Sequence, residues 1–218
     1  MYKTWFNREY TTMAIHTSFG DNWKLEKQDK EVSAYTTRIK GSDFRAYKIE
    51  AIAESTLSGL IAHQKDAENF PKWMDGVKSS ELFKDTGEAY YTHSVAPAPW
   101  PVKDRDSVVE SVISQNPDTL EVNIRFTSQN HLKPPLKGCE RVAAIDGEWI
   151  FTPVREAGEA TGKVRVLYIN HVNPGGKIPG WLANNFAVDV PFNTIKGLIK
   201  AVKEAKYQNV VLDFIKEP

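Results

Sequence analysis

The stretch Asn173-Pro174-Gly175-Gly176-Lys177-Ile178-Pro179-Gly180-Trp181-Leu182 decides the fold, because the spacing of apolar residues changes across it. Before it, apolar and polar residues tend to alternate, as they do in strands with one buried face. After it, apolar residues recur at close to helical spacing. Gly175-Gly176 permits a tight turn, and Pro179 suits the first turn of a helix. The stretch therefore predicts a junction between a strand and a helix.

Upstream of the junction, short turns separate a series of candidate strands, which favours an antiparallel meander. A hairpin over 32–39 and 44–53 precedes this series, and Ser55 is the expected N-cap of a helix that follows the hairpin. The clearest alternation lies around Val122, Ile124 and Phe126. The candidate strands are 79–85, 89–97, 106–116, 119–128, 141–153 and 163–173.

Downstream of the junction, one long helix is expected over 178–205. A helix of about 28 residues would be roughly 42 Å long. Pro191 lies inside it and is expected to kink it. The pattern thus predicts an α+β fold in which a long C-terminal helix lies across a curved antiparallel sheet. The apolar positions of the helix are Leu182, Phe186, Val190, Ile195, Ile199 and Val202.

Composition excludes several classes of function. The chain has 28 basic and 28 acidic residues among its 218, so it lacks the basic excess of a nucleic-acid-binding protein. The single cysteine, Cys139, and five histidines without metal-site spacing predict no metal site and no cofactor. No apolar run approaches the roughly 18 residues of a membrane span, and the N-terminus lacks a signal-peptide core, so a cytoplasmic location is expected.

Three stretches, in order and spacing, resemble START domains, the family named for the steroidogenic acute regulatory protein. They are Pro99-Trp100-Pro101-Val102-Lys103-Asp104-Arg105-Asp106, the junction 173–182, and Pro191-Phe192-Asn193-Thr194-Ile195-Lys196-Gly197-Leu198. The resemblance covers 22–206, between a lead-in at 1–21 and a tail at 207–218. It implies a helix-grip fold with an internal cavity that lies under the C-terminal helix and is gated by it. It also implies a monomeric, non-enzymatic protein that binds a phospholipid, sterol or similar lipid and transfers it between membranes.

The residues expected to line this cavity come from both layers of the fold. On the strands they are chosen by alternation, and Trp100 is added from the proline-flanked bend. Because Ser94 and Ser111 are neutral where lipid-binding relatives place charges, a weakly polar or apolar ligand is expected. Arg105 and Asp106 are expected to form a local salt bridge. The candidates are Tyr90, Thr92, Ser94, Trp100, Val109, Ser111, Ile113, Trp181, Leu182, Phe186 and Val190.

The loop 128–137 is a candidate gate. It carries Leu132 and Leu136 beside Lys133 and Lys137, and its prolines keep it out of the sheet. Such a loop could contact a membrane surface transiently while its leucines enter the interface. A plain solvated connection is the alternative.

Two other functions fit the same cavity. Related helix-grip proteins include polyketide cyclases, and Asp104 and Asp106 could be read as a carboxylate pair for such chemistry. A lipid sensor would bind its ligand without transferring it. The sequence does not specify the ligand's headgroup.

Overall fold

The computed structural model of the protein describes residues 19, 22–178 and 187–218. Ten strands in these ranges form one sheet. They are β1 (Lys24–Gln28), β2 (Val32–Arg38), β3 (Arg45–Glu54), β4 (Ser79–Asp85), β5 (Ala89–Ala96), β6 (Arg105–Gln115), β7 (Val122–Ser128), β8 (Glu140–Arg141), β9 (Ala144–Glu156) and β10 (Glu159–Asn173).

The sheet is an antiparallel meander joined to an N-terminal hairpin. Its order is β1-β2-β3-β10-β9-β7-β6-β5-β4, and the short β8 pairs in parallel with β6. The last meander strand, β10, returns beside β3, so residues far apart in the chain become neighbours, such as Tyr47 opposite Asn170. The predicted α+β class and the curved antiparallel sheet are confirmed.

Strand β1 was not predicted as a strand. Its residues, Lys24–Gln28, are mostly exposed on both faces, so they show none of the alternation that marks a half-buried strand. It forms because its backbone pairs with β2, as in the Lys24–Thr36 and Gln28–Ser33 pairs.

Four α-helices are described: α1 (Leu57–Lys65), α2 (Phe70–Trp73), α3 (Asp189–Ala201) and α4 (Ala205–Gln208). A 3₁₀ turn, Ala67–Asn69, joins α1 to α2. The N-cap of α1 is Thr56 rather than the expected Ser55, since the Thr56 hydroxyl accepts a hydrogen bond from the Gly59 N–H at 3.0 Å.

Helix α3 accounts for the C-terminal part of the helix expected over 178–205. It begins at Asp189 after the N-cap Val188, and residues 179–186 lie outside the described ranges. Pro191 therefore lies in the first turn of α3, where a missing N–H breaks no helical hydrogen bond. The expected kink in a helix over 178–205 stays a prediction, because it depends on residues 179–186, which lie outside the described ranges. No helix in the described ranges is long and apolar enough to cross a bilayer.

The core lies between α3, α1 and the inner face of the sheet. The buried side of α3 presents Phe192, Ile195 and Leu198, followed by Val202 just after the helix. These side chains pack with strand residues such as Ile49 and Phe151, all of them almost completely buried. One apolar cluster thus joins the C-terminal helix to the sheet.

The tail at 207–218 is packed against the domain. Ile215 is buried in the main core. The Glu217 carboxylate accepts hydrogen bonds from the backbone N–H groups of Leu57 and Ser58, at 3.0 and 2.7 Å, and so caps the N-terminus of α1. The side chain of Gln115 exchanges two hydrogen bonds, both 2.8 Å, with the backbone of Lys216.

Candidate ligand cavity

A cavity of about 290 Å³ lies between the first turn of α3 and the inner face of the sheet. Its helical side is formed by Val190, Pro191 and Thr194, and the segment 74–77 after α2 forms a further part of its wall. The volume is at the lower end of the roughly 300–1,000 Å³ found for ligand pockets. On the sheet side the wall includes Arg45, Tyr47, Ala96, Arg105, Ser107, Ile145, Tyr168 and Val172.

Aromatic rings support the deepest part of this wall. Tyr168 stacks on Trp149 with ring centroids 3.8 Å apart and meets Tyr47 edge-on at 5.4 Å. Stacked and edge-to-face pairs of this kind hold each ring in one orientation. The wall is therefore formed by rings whose positions are fixed by their neighbours.

A buried polar cluster lies on the same wall. The hydroxyls of Tyr47 and Tyr168 are 3.1 Å apart, and the Asn170 amide donates to both, at 2.8 and 3.3 Å. The Asn170 Oδ1 atom is buried without a partner among the described residues. Burial raises the pKa of both tyrosines, so their hydroxyls stay neutral and able to donate.

Arg105 is the buried charged residue of the wall, with 5% of its surface exposed. Its guanidinium donates to the carbonyl oxygen of Lys103 and, weakly at 3.5 Å, to that of Gly175. The expected salt bridge between Arg105 and Asp106 is not present. The physical reason is that adjacent strand residues point to opposite faces of a sheet.

Asp106 is fully buried on the other face of β6. It accepts from Arg141 Nη2 at 2.6 Å, His93 Nε2 at 3.1 Å and the Leu136 N–H at 3.1 Å. Burial raises the pKa of Asp106, but the hydrogen bonds from Arg141 and His93 outweigh burial and hold it below its usual value. Asp106 thus has a structural role at the loop 128–137.

Asp104 does not form a pair with Asp106. Its carboxylate accepts from the Ala98 N–H and from Lys78 Nζ, both at 3.0 Å. These contacts hold the pKa of Asp104 below its usual value. Both carboxylates of the possible catalytic pair are thus occupied by other partners, and neither lines the cavity.

The strand candidates for cavity lining lie together on one face of β5 and β6. Tyr90 lies opposite Ser111, and Thr92 lies opposite Val109. Both Arg105 and Ser107 follow the same alternation and do line the cavity, but nearer the start of β6. Alternation thus indicated the correct face of β5 and β6, but the cavity lies toward the end of that face where β6 begins. The ligand role of the candidates stays a prediction; they are Tyr90, Thr92, Ser94, Val109, Ser111 and Ile113.

The remaining candidates fall in three different places. Val190 lines the cavity. Trp100 is 93% exposed and lies outside the wall, because the flanking prolines carry the chain away from the sheet after β5. Trp181, Leu182 and Phe186 lie outside the described residues.

The loop 128–137 is held on the sheet face opposite the cavity. Arg141 donates to the carbonyl oxygens of Asn130, Lys133 and Pro134, at 3.1, 3.0 and 3.0 Å. Leu132 and Leu136 remain 42% and 44% exposed, and Lys137 is exposed. Lys133 pairs with Glu81. The loop therefore offers exposed leucines but does not border the cavity in this structure.

The wall residues that the sequence analysis missed share one signal. Tyr47, Arg105 and Tyr168 each lie on a strand at a position that alternates with outward-facing residues. Alternation could have identified them, but their meeting depends on the pairing of β3 with β10 and on the position of α3. Among the described residues, no group of three or more His, Cys, Asp or Glu side chains is placed to hold a metal ion.

Comparison with known proteins gives consistent matches over most of the chain. Residues 62–198 match the family described as polyketide cyclase / dehydrase and lipid transport. An uncharacterised protein of Pseudomonas aeruginosa is 32% identical over 187 residues, which cover 86% of this chain and 90% of that protein. The phosphatidylcholine transfer protein of Bos taurus is 25% identical over 189 residues, with 86% and 87% covered. The crystal structure of a STAR-related lipid transfer protein fragment from Xanthomonas axonopodis has a TM-score of 0.75 and 32% identity, and the match covers 84% of this chain and 100% of that chain.

Proposed function

The chain belongs to the polyketide cyclase / dehydrase and lipid transport family, as a START-type domain, and from this premise we propose that it binds a lipid in its cavity and carries it between membranes. The observation that carries the proposal is the cavity of about 290 Å³ between α3 and the sheet. The names of two similar proteins, a STAR-related lipid transfer protein and phosphatidylcholine transfer protein, support it.

The energetics of such a carrier depend on matching the membrane. Burying a methylene group gains about 0.8 kcal/mol, so an alkyl chain of about ten methylenes gains roughly 8 kcal/mol on leaving water. A lipid in a bilayer already has this gain. The cavity therefore needs only to equal the bilayer as an environment, and the task of the protein is to lower the barrier to leaving it.

The size of the cavity favours one alkyl chain. At about 30 Å³ for each water-sized group, it holds roughly ten such groups. Two acyl chains do not fit without movement of the wall. We therefore propose single-chain lipids as the first ligands to test.

We propose that the protein is a carrier and not a catalyst. A polyketide cyclase requires an acid or base positioned against its substrate. The wall offers neutral tyrosine hydroxyls and Arg105, whereas the lining carboxylates, Asp43 and Asp75, are exposed at the rim. The cytoplasmic location expected from the sequence stays a prediction.

The decisive experiment combines native mass spectrometry of the purified protein with lipid transfer between donor and acceptor vesicles. We expect one lipid bound per chain and transfer that increases with protein concentration. Ligand bound without transfer would favour a sensor. An extracted ligand that changes mass on incubation with the protein would favour an enzyme.

A matched pair of variants on β6 ties the result to the cavity. Ser107 lines the cavity, whereas Ser114 lies on the opposite face of the same strand and is exposed. Ser107→Phe should fill the cavity and abolish ligand binding, and Ser114→Phe should leave it unchanged. Equal binding by both variants would place the ligand elsewhere.

A further inference from the structure

Arg105 is buried without an anionic partner. In the described part of the chain, no carboxylate oxygen lies within 4.0 Å of its guanidinium, and its Nε atom has no acceptor. Its two hydrogen bonds go to the backbone carbonyls of Lys103 and Gly175, and the second is long, at 3.5 Å. The neighbouring Asp106 faces the other way and is paired with Arg141.

The position of Arg105 is also distinctive. Besides the inner cavity, it borders an open depression of about 510 Å³ formed by Pro101–Lys103, Glu140 and 176–178. Of the residues that the structure describes, it alone lines both spaces. Arg105 therefore lies where the interior of the domain meets the outer surface.

A buried guanidinium in this situation lacks the interactions that normally stabilise it. Arginine remains positively charged throughout the physiological pH range, and burial of an unpaired charge is costly. Backbone carbonyls satisfy part of its hydrogen-bonding capacity but do not neutralise its charge. The planar guanidinium fits carboxylate and phosphate groups, which accept its parallel N–H groups.

The other charged residues that line the cavity do not compete for this role. Asp43, Arg45 and Asp75 are exposed at the rim, where water solvates their charges. A ligand anion that reached Arg105 would supply the interactions that its guanidinium lacks, whereas an anion at the rim would only take the place of water. The gain per contact is therefore larger at Arg105.

We infer that Arg105 binds the anionic headgroup of the lipid, a carboxylate or a phosphate, while the apolar tail occupies the cavity. This inference rests on the proposed lipid-binding function and specifies its ligand class. It differs from the weakly polar or apolar ligand expected from the sequence, because that expectation was based on the neutral Ser94 and Ser111. Ser111 lies farther along β6 than Arg105, and Ser94 lies on β5 opposite Ser107.

The test uses three single-chain probes with the same acyl chain. They are decanoate, 1-decanoyl lysophosphatidic acid and the neutral 1-monodecanoylglycerol, whose chains match the roughly ten groups that the cavity holds, each titrated below its micelle concentration. Binding is followed by isothermal titration calorimetry and by the tryptophan fluorescence of the protein, to which Trp149 contributes from its place against the wall residue Tyr168. We expect at least one anionic probe to bind the wild-type protein about tenfold more tightly than the neutral probe. The better anion distinguishes a carboxylate source from a phosphate source.

Single substitutions test whether Arg105 causes the preference for an anionic probe. Arg105→Gln should lower the affinity for the anionic probe about tenfold and change the affinity for the neutral probe by less than about twofold. Lys40→Gln is the matched control, because it removes an exposed positive charge from the turn between β2 and β3, at a residue that lines neither of the two spaces that Arg105 borders, and should retain the preference. If Arg105→Gln does not fold by circular dichroism, Arg105→Lys serves instead. It keeps the charge but loses the planar fork, and it should retain only part of the preference.

The outcomes separate the two proposals. Equal binding of the neutral and anionic probes to the wild-type protein would overturn the role of Arg105 and leave the lipid-binding function intact. An anion preference that persists in Arg105→Gln, or is lost in Lys40→Gln, would also overturn it. Binding of none of the probes, together with no lipid in the purified protein, would overturn the proposed function itself.

Discussion

Gly197 of α3 lies directly against the backbone of Trp73 at the end of α2. A Cβ atom at position 197 would be 2.0 Å from the Trp73 carbonyl oxygen and 2.9 Å from its carbonyl carbon. This contact holds α3 to the segment 74–77, which forms one wall of the cavity. The absence of a side chain at Gly197 thus sets the distance between two parts of the proposed ligand site.

Gly197→Ala should therefore destabilise the protein, although alanine favours helices. The helical preference for alanine gains about 1 kcal/mol, whereas overpacking against backbone costs about 1–3 kcal/mol or more. We expect a net loss in the free energy of unfolding, measured as a lower urea midpoint. The control is Lys200→Ala at an exposed position of α3, which should be nearly neutral. A variant Gly197→Ala as stable as the wild type would contradict the close contact.

The alternation of apolar and polar residues was sufficient to predict most of the strands, but it did not predict which residues meet at the cavity wall. In strands such as β7, buried and less buried residues alternate clearly, and turn residues mark the ends of the strands. The contact between Tyr47 and Tyr168 depends instead on the register of β3 against β10, which no local pattern specifies. Residues 121 positions apart meet there because the meander closes back on the hairpin.

The interpretation of Arg105 and Asp106 failed for a different reason. Sequence adjacency suggested an ion pair, whereas the two-residue period of a strand places adjacent side chains on opposite faces. The correct partner of Asp106 is Arg141, which reaches it through the parallel pairing of β8 with β6. That pairing follows a long loop and leaves no periodic signal.

The burial of His63 predicts that the protein loses stability in mild acid. Its side chain is fully buried between Trp73 and Tyr207, and neither ring nitrogen has a partner among the described residues. Burial lowers the pKa of His63 from 6.5 to about 4. The unfolded chain therefore binds more protons than the folded one between these values, so stability falls as the pH decreases from about 6.5 to about 4. One histidine contributes on the order of 1.4 kcal/mol per pH unit in this range.

The measurement compares wild type with His63→Phe by urea unfolding at pH 7 and pH 5. The substitution changes packing equally at both pH values, so the difference between the two proteins isolates the titration of His63. We expect wild type to lose roughly 2 kcal/mol more than the variant between pH 7 and pH 5. His131→Phe, at an exposed position, should behave as wild type. Parallel loss in wild type and His63→Phe would show that His63 is not buried in its neutral form.

The exposed leucines of the loop 128–137 predict a contact with membranes. Replacing Leu132 and Leu136 with asparagine removes apolar surface that is now 42% and 44% exposed. Because neither leucine borders the cavity, we expect weaker association with vesicles and unchanged ligand binding. Sedimentation with phosphatidylcholine vesicles measures the first, and native mass spectrometry measures the second. Val211→Asn removes an 83% exposed valine elsewhere and should not alter association.

The link between α3 and the segment 74–77 predicts where the cavity opens. The Asp75 N–H donates to the Thr194 hydroxyl at 3.1 Å, and the Asn193 amide donates to the Asp75 carboxylate at 2.8 Å. If a lipid passes between these two elements, cysteines at positions 75 and 193, in a Cys139→Ser background, should block transfer when joined by a short thiol crosslinker. The reduced protein should transfer normally, and each single-cysteine variant treated with the same reagent should too. Conversely, Asn193→Ala removes one hydrogen bond of about 1 kcal/mol to a charged group and should speed transfer several-fold, if opening limits the rate. Normal transfer by the crosslinked protein would require the lipid to enter by another route.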